Sequence, residues 1–536
     1  MNKKLVAFAL VAVLLLGLAC PGLASGTLSA PADAEPWWTP FEETVVLTTV
    51  REDDAATFPE GDNMESNIWT RAYKELFNVD VQTMWISGEY DTKLNMAIMS
   101  KELPDVFIVN NEVQLAQLNE AGLLYDMTEV YQSMASATTK SYMDMEPGIL
   151  QTAISDDKLI ALPRLYNGDI LNVRYLWLRD DWMAKIGAEP PATIAELETI
   201  MQAMIDNGAA YGIATQQDFT SLFELAAGWH ANPKIWVEGP NGTIEYGSIQ
   251  PEMKQALAAW ADWYKKGYIS ADFATMDYSA GEQDAINGKV GAMSYASWYG
   301  WTCGGDVLRL QGTDASFSPS MIPSVDGEQV YVPVPAPGLG YIAVSKDCKN
   351  PEAVVKLINF YNYVVFEAVG RGEMTIDEMT AFTGNGVAHV TNMFRVCNPL
   401  DDYTRLVEIQ EAMTTGNLAA LTSGIAIECY EGSLPWINDK DPSAYGYAAQ
   451  FGAPNASLII GKYVVDNNLF NRSKLQGTPP EILLNYGSTL DDLLLEGFTK
   501  IVMGEEPVDY FDTLVENWKT AGGTAATEAV NAMYAK

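Results

Sequence analysis

Buried strands and amphipathic helices alternate in this chain once its N-terminal apolar segment has passed. The segments Thr44 to Val50, Val79 to Ile86 and Val106 to Val109 are β-branched or apolar and typical of buried strands. Residues 65–77 and 91–99 lie between them and have apolar side chains at helical spacing. Strands separated by helices of this length predict a parallel sheet covered by helices, which is an α/β fold.

The same alternation starts again after residue 165. Val173 to Leu178 and Val290 to Tyr295 are again typical of buried strands. Residues 193–205 predict a helix that begins at a capping box formed by Thr193 and Glu196. Because 536 residues are enough for two or three ordinary domains, the two α/β units predict two lobes.

The first twenty residues form an export signal. Lys3 and Lys4 precede an unbroken apolar run from Leu5 to Leu16, which is too short to remain in a bilayer as a spanning helix. Cys20 follows that run and predicts a bacterial lipoprotein, cleaved before Cys20 and lipidated on its sulfur. The alternative is ordinary cleavage after Ala24 and secretion without an anchor.

The segment over residues 21–40 is rich in proline, small residues and acidic residues. This composition predicts a flexible spacer between the signal at 1–20 and the folded body.

The charge of the chain excludes several classes of partner. With 70 acidic and 32 basic residues, the net charge of −38 argues against nucleic acid and against anionic lipid surfaces, which need clustered cations. It also argues against a polyanionic sugar, although Arg164 and Arg174 can offset the acidity locally. Two histidines and four widely spaced cysteines beyond Cys20 predict no metal site, and they leave disulfide pairing open.

No motif of a common enzyme is present. The chain lacks GxSxG, HExxH and GxxxxGK[ST], and residues 338–343 (GLGYIA) lack the strand-turn-helix context of a dinucleotide site. The many acidic residues leave open a pair of carboxylates for glycoside hydrolysis, but nothing singles out such a pair. The sequence therefore predicts no cofactor and favours binding over catalysis.

Aromatic residues follow one of the predicted strands. Trp298, Tyr299 and Trp301 come just after the strand that ends at Tyr295. Ligands of open α/β sheets bind at the carboxyl ends of strands. Flat apolar rings at that position suit the C–H faces of sugars, while packing in the core is the alternative for each ring.

Seven segments, in chain order, resemble one family. They are residues 99–106 (MSKELPDV), 121–128 (AGLLYDMT), 176–197 (LWLRDDWMAKIGAEPPATIAEL), 251–268 (PEMKQALAAWADWYKKGY), 286–298 (INGKVGAMSYASW), 341–357 (YIAVSKDCKNPEAVVKL) and the tail 498–533. In these the chain resembles the extracellular solute-binding proteins of family 1, which serve sugar-importing ABC transporters. The similarity is greatest to the large lipoproteins of Bacillus and Paenibacillus relatives.

The resemblance implies a two-lobed periplasmic-binding-protein-like fold of type II, with a ligand cleft between lobes joined by hinge strands. It implies crossings near residues 169–174, 338–344 and 395–402. The N-terminal lobe would comprise residues 41–168 and 345–395, and the C-terminal lobe residues 169–344 and 396–536. Some relatives carry a calcium loop after the helix at 193–205, but the sequence DNGAAY at 206–211 lacks its ligand oxygens.

The function implied is that of a non-enzymatic, extracellular binding component that delivers an oligosaccharide or sugar to permease subunits. The protein would be a monomer held at the outer face of the membrane by its lipid alone. Two alternatives remain open, a secreted carbohydrate-active enzyme and a sugar sensor for a membrane receptor.

Candidate ligand-binding residues are chosen from loops that face the implied cleft, because planar polar groups bond hydroxyls and aromatic rings stack on sugars. They are Asn110, Asn111, Glu112, Arg164, Tyr166, Asn167, Asp169, Trp229, His230, Trp298, Tyr299, Trp301 and Trp436.

Overall fold

A five-stranded sheet forms the centre of the first lobe. The computed structural model describes residues 28–31, 33–53, 58–165, 168–239, 241–335, 340–383, 392–476 and 479–534. The sheet has the order β2-β1-β3-β13-β6. Its strands are β1 (Val45–Glu52), β2 (Val79–Ser87), β3 (Val106–Val109), β6 (Leu162–Pro163) and β13 (Tyr341–Val344).

The strands of this sheet bring distant parts of the chain to one edge. β1, β2 and β3 are parallel, as their alternation with helices predicts. β13 is antiparallel to both β3 and β6, so that Tyr341 lies opposite Val109 on one side and Pro163 on the other. The carboxyl ends of β3 and β6 therefore lie beside the start of β13.

The second lobe is built on a three-stranded antiparallel sheet. It has the order β10-β7-β11, with β7 at Tyr175–Arg179, β10 at Ala292–Tyr295 and β11 at Phe317–Ser320. Side chains alternate along β7, and all of them are buried. Leu176 and Leu178 belong to one hydrophobic core, while Tyr175 and Trp177 belong to another on the opposite face.

Three two-stranded sheets complete the strands of the described residues. They are β4 (Ile154–Ser155) with β5 (Lys158–Leu159), β8 (Trp236–Glu238) with β9 (Ile244–Tyr246), and β12 (Val332–Val334) with β14 (Phe470–Arg472).

The helices of the first part of the chain are Ile68–Phe77, Tyr90–Ser100, Glu112–Glu120, Thr128–Met134, Ala137–Met145, Pro147–Thr152, Asp180–Ile186, Ile194–Asp206, Thr220–Leu225, Pro251–Lys266, Tyr278–Ile286 and Gly304–Gln311. Those that follow are Pro351–Asn362, Ile376–Thr383, Asp401–Thr415, Gly424–Asp439, Tyr445–Tyr447, Ser457–Asp466, Glu481–Met503, Tyr510–Trp518 and Thr524–Tyr534. None of these described helices combines the length and apolarity needed to cross a membrane.

The local signals in the sequence are confirmed where the structure describes them. Thr193 and Glu196 form the predicted capping box at the start of the helix Ile194–Asp206. The helix Ile68–Phe77 begins one turn later than the periodicity predicts, because the Asn67 side chain accepts hydrogen bonds from the first free backbone N–H groups.

Two segments pack differently from the predicted division of the chain. Residues 21–40 are predicted to be a flexible spacer, but Trp37 and Trp38 are buried in the core of the first lobe. The ring centroid of Trp38 lies 4.9 Å from that of Tyr363. Residues 396–536 are predicted to belong to the C-terminal lobe, but Val396, Leu406 and several other side chains as far along the chain as Leu458 lie in that same first core. Their apolar spacing indicates burial without indicating which core receives them.

Two glycines allow close backbone contacts where the chain passes between the lobes. Gly168 and Gly340 both have positive φ, +77° and +84°. A Cβ at Gly168 would lie 2.1 Å from the carbonyl oxygen of Pro399, and a Cβ at Gly340 would lie 2.3 Å from that of Val109. The two glycines therefore permit backbone contacts that a side chain would prevent.

Candidate functional site

The carboxyl end of β3 carries three polar residues on the first-lobe side. Asn110 is exposed, and its side-chain amide donates to Asp91 at 3.1 Å. Asn111 caps the helix Glu112–Glu120 by accepting from the backbone N–H of Gln114 at 2.9 Å. The structure therefore brings these three predicted candidates together, at the edge of the sheet where β13 begins.

Glu112 connects this edge of the sheet to β13, the strand by which the chain returns from the second lobe. Its Oε1 accepts a hydrogen bond from the Tyr341 hydroxyl at 3.1 Å, and that hydroxyl lies 2.7 Å from Thr152 Oγ1. Within the described part of the chain, the buried Oε2 of Glu112 has no hydrogen-bond partner. Burial raises the pKa of Glu112, and the Tyr341 hydrogen bond opposes that shift only in part.

A cavity of about 460 Å³ is lined by side chains of both lobes. The first lobe contributes Asp91, Asn95, Asn111, Val113, Gln114 and Gln117, and the second contributes Leu475, Pro479, Leu483, Leu484 and Ser488. One wall is thus rich in amides, and the other is mainly apolar. A sugar, with hydroxyls at its rim and C–H groups on its faces, matches such a pair of walls.

A half-buried ion pair lies on the second-lobe side of the crossing. Arg174 Nε donates to Glu224 Oε1 at 2.8 Å, and Ser294 Oγ donates to Glu224 Oε2 at 2.8 Å. Burial raises the pKa of Glu224, and the Arg174 guanidinium acts in the opposite direction. Arg174 Nη1 also donates to the carbonyl oxygen of Leu171 at 2.8 Å, so that its guanidinium is held in place.

Arg174 and Glu224 line a second cavity, of about 350 Å³. Its polar wall contains Arg174, Thr220, Glu224 and Lys234, and its apolar wall contains Phe223, Met321, Ile322, Val330 and Val332.

Trp298 lies where the lobes meet. It is half-buried and packs against the core of the first lobe as well as the core that contains Tyr175. Its ring centroid is 5.8 Å from the guanidinium carbon of Arg174. Trp298 is therefore the aromatic candidate that the structure brings to the junction.

Three other aromatic candidates lie in hydrophobic cores. Tyr299 is fully buried against Trp177, at 4.8 Å between ring centroids, because the turn after Trp298 directs it beneath the sheet. Trp229 is buried against Trp260 and Trp263 of the helix Pro251–Lys266.

Trp436 is the third of these. It is predicted to lie in a loop that faces the cleft, but it lies within the helix Gly424–Asp439. It packs against Tyr445, at 4.9 Å between ring centroids.

Three of the remaining described candidates, Trp301, His230 and Asp169, make contacts elsewhere in the protein. Trp301 is 46% exposed, lies 4.3 Å from Tyr447 and donates from its ring nitrogen to Gln450. His230 pairs with Asp326 at 3.0 Å. An oxygen of the Asp169 carboxylate accepts a hydrogen bond from the Arg472 guanidinium of β14 at 2.7 Å.

Arg164 follows β6 and lies near two arginines that the sequence does not single out, Arg51 and Arg395. Three other predicted residues, Cys20, Tyr166 and Asn167, lie outside the described residues. Arg51 occupies the carboxyl end of β1, which is a position that the strand-end rule could have identified. Glu224 and Arg395 carry no such signal, because neither directly follows a strand.

Among the described residues, no group of three His, Cys, Asp or Glu side chains is placed to hold a metal ion.

Comparison with known proteins identifies relatives across most of the chain. The family model described as bacterial extracellular solute-binding protein matches residues 55–362. Lipoprotein LipO of Bacillus subtilis (strain 168) is 20% identical over 500 residues, covering 87% of this chain and 88% of LipO. The polygalacturonan/rhamnogalacturonan-binding protein YtcQ of the same organism is 20% identical over 473 residues, covering 84% of this chain and 86% of YtcQ.

The fold is also similar to that of a solved structure. The crystal structure of alginate-binding protein AlgQ2 without calcium ion superposes with a TM-score of 0.64 at 17% identity. The match covers 93% of this chain and 99% of AlgQ2. The similarity confirms the predicted two-lobed α/β fold.

Proposed function

The chain belongs to the bacterial extracellular solute-binding protein family, and from that premise we propose that it is the sugar-binding component of an ABC importer. The ligand is an oligosaccharide held between the two lobes, and the closed protein delivers it to membrane permease subunits. A ligand that contacts both lobes stabilises the closed arrangement over the open one, which gives the permease a form to recognise.

The observation that carries this proposal is the cavity of about 460 Å³ whose walls come from both lobes. Amide side chains on one wall can bond sugar hydroxyls, and the apolar wall can pack on sugar C–H faces. Trp298 supplies an aromatic ring at the junction of the lobes. The names of YtcQ and AlgQ2 support a polysaccharide-derived ligand.

The binding residues in this proposal come from both lobes. Asn110, Asn111 and Glu112 act from the first lobe, and Trp298 acts from the junction. Arg164 and Asp169 belong to the same set, at the point where the chain first passes between the lobes, and Tyr166 and Asn167 remain candidates that lie outside the described residues. Trp229, Tyr299 and Trp436 are left out of this set, because their rings lie in hydrophobic cores.

The lipid anchor at Cys20 is part of the proposal. A tether at the outer face of the membrane raises the effective concentration of the protein at a permease. The described chain packs against the first core at Leu28 and is buried in it at Trp37 and Trp38. Mass spectrometry of the mature N-terminus tests the anchor: a diacylglyceryl cysteine at position 20 supports it, and an unmodified start at Ser25 contradicts it.

A thermal-shift screen over plant and microbial oligosaccharides tests the proposed function. A sugar present at 100 times its Kd should stabilise the protein by about 2.7 kcal/mol and raise its Tm. Chromatography of the sugars after incubation separates binding from hydrolysis, since a binding protein returns them intact. A screen in which no oligosaccharide raises the Tm, or in which the sugar is cleaved, contradicts the proposal.

A further inference from the structure

Three arginines from distant parts of the chain converge at the cleft edge of the first sheet. Arg51 lies at the end of β1, and Arg164 directly follows β6. The backbone N–H of Arg164 donates to the carbonyl oxygen of Gly340 at 2.9 Å, which fixes it beside the start of β13.

The segment that contains Arg395 runs from one of these arginines to the other. At its beginning, Met393 accepts a hydrogen bond from Thr49 of β1 at 3.0 Å and lines a small cavity with Arg51. At its end, the backbone N–H of Cys397 donates to the carbonyl oxygen of Leu165 at 3.2 Å. Arg395 is therefore held between Arg51 and Arg164.

The guanidinium of Arg164 is incompletely satisfied. All three arginines are half-buried, and the buried Nε of Arg164 has no hydrogen-bond partner in the described part of the chain. Burial lowers the pKa of Arg164, and the positive charges of Arg395 and Arg51 add to that shift. A negatively charged group beside Arg164 would accept a hydrogen bond from its buried Nε and would offset the repulsion from Arg395 and Arg51.

Arg174 shows what a satisfied arginine looks like in the same protein. Its guanidinium bonds Glu224 and the carbonyl oxygen of Leu171, both at 2.8 Å. No carboxylate of the described residues lies within ion-pair distance of Arg164, although acidic residues outnumber basic ones by 70 to 32. In so acidic a chain, a site that gathers arginines and leaves one donor open is suited to a negative charge from outside.

We propose that Arg51, Arg164 and Arg395 bind a carboxylate of the ligand, and hence that the oligosaccharide contains uronic acid residues. This inference rests on the proposed function and assigns its substrate class. Guanidinium groups match carboxylates in a planar, two-pronged geometry. The net charge of the protein does not oppose binding at this range, because salt at physiological concentration screens surface charges beyond about 8 Å.

Isothermal titration calorimetry of the full mature protein tests the proposal. The probes are trimers of galacturonate, mannuronate and glucuronate, each beside its fully methyl-esterified form and the corresponding neutral trimer. At least one uronate trimer should bind at least about 100-fold more tightly than its methyl ester, since esterification removes the charge that the arginines contact. Arg164→Gln should weaken that binding by about 10- to 100-fold.

Further variants distinguish a direct contact from a structural role. Arg164→Lys keeps the charge but loses the planar donors and should recover only part of the affinity. Arg309→Gln removes an exposed arginine that pairs with Asp306, and it should bind like the wild type. If Arg164→Gln does not fold, as judged by circular dichroism, Arg51→Gln takes its place with the same expected loss.

Two results would overturn the inference in distinguishable ways. If a neutral trimer binds and the uronates do not, or if Arg164→Gln binds within two-fold of wild type, the carboxylate site is wrong and the proposed function stands. If none of the acidic or neutral oligosaccharides binds, the proposed function fails together with it.

Discussion

The Arg174 guanidinium carbon lies 5.8 Å from the ring centroid of Trp298, and the same guanidinium donates a hydrogen bond to the half-buried Glu224. The ion pair thus fixes a cation beside the ring, and the ring packs against the cores of both lobes. The indole is held in one orientation before any ligand arrives, which reduces the entropy lost on binding.

Replacement of Trp298 should weaken ligand binding more than it weakens the fold. Trp298→Ala is expected to cost about 2 kcal/mol of affinity, or about 30-fold in Kd, as buried aromatic anchors commonly do. Calorimetric titration with the best sugar from the screen measures this loss. Trp301→Ala is the matched control, because Trp301 is 46% exposed and packs on Tyr447; an equal loss in both variants would contradict the assignment.

Trp229 should behave in the opposite way. It is buried against Trp260 and Trp263, so that Trp229→Ala opens a cavity in the second lobe and should cost about 3–5 kcal/mol of unfolding free energy. Urea denaturation measures the loss, and titration of the folded protein should return nearly the wild-type Kd. A stable variant with impaired binding would indicate instead that Trp229 contacts the ligand.

These two tryptophans also mark the limit of what the sequence can predict. In the sequence both are flanked by small residues. The strand that is predicted before Trp298 is present in the structure as β10. Nothing local distinguishes them, because Trp229 is buried by two rings that lie more than thirty positions later. The capped helices and the strands of the first lobe follow from local spacing. The return of side chains between Val396 and Leu458 to the first core depends on contacts that spacing does not encode.

The stability of the protein should depend on pH through Glu112. Burial raises the pKa of this carboxyl above its ordinary value of 4.5, so that folding disfavours its charged form. Its favourable contribution is complete below pH 4.5 and is lost as the pH rises through the raised pKa. Glu112→Gln should therefore gain Tm relative to the wild type between pH 4 and pH 7, measured by calorimetric scans at both values. An unchanged difference would contradict the raised pKa.

The four cysteines beyond Cys20 should be unreactive thiols. Cys303, Cys348, Cys397 and Cys429 are all free and buried. Burial raises the pKa of Cys348 to about 11 and that of Cys429 to about 12, which leaves little thiolate at neutral pH. A chromogenic disulfide reagent should detect almost no thiol in the native chain lacking Cys20, and four in concentrated guanidinium chloride. Fewer than four in the denatured chain would indicate a disulfide.

The central claim is that one oligosaccharide binds between the lobes and contacts both. Calorimetric titration of the wild type, Asn110→Ala and Trp298→Ala with the sugar that gives the largest thermal shift tests it most directly. We expect one site per chain and weaker binding in both variants, since Asn110 follows β3 in the first lobe and Trp298 follows β10 in the second. Binding that neither substitution weakens, or no binding at all, would contradict the account.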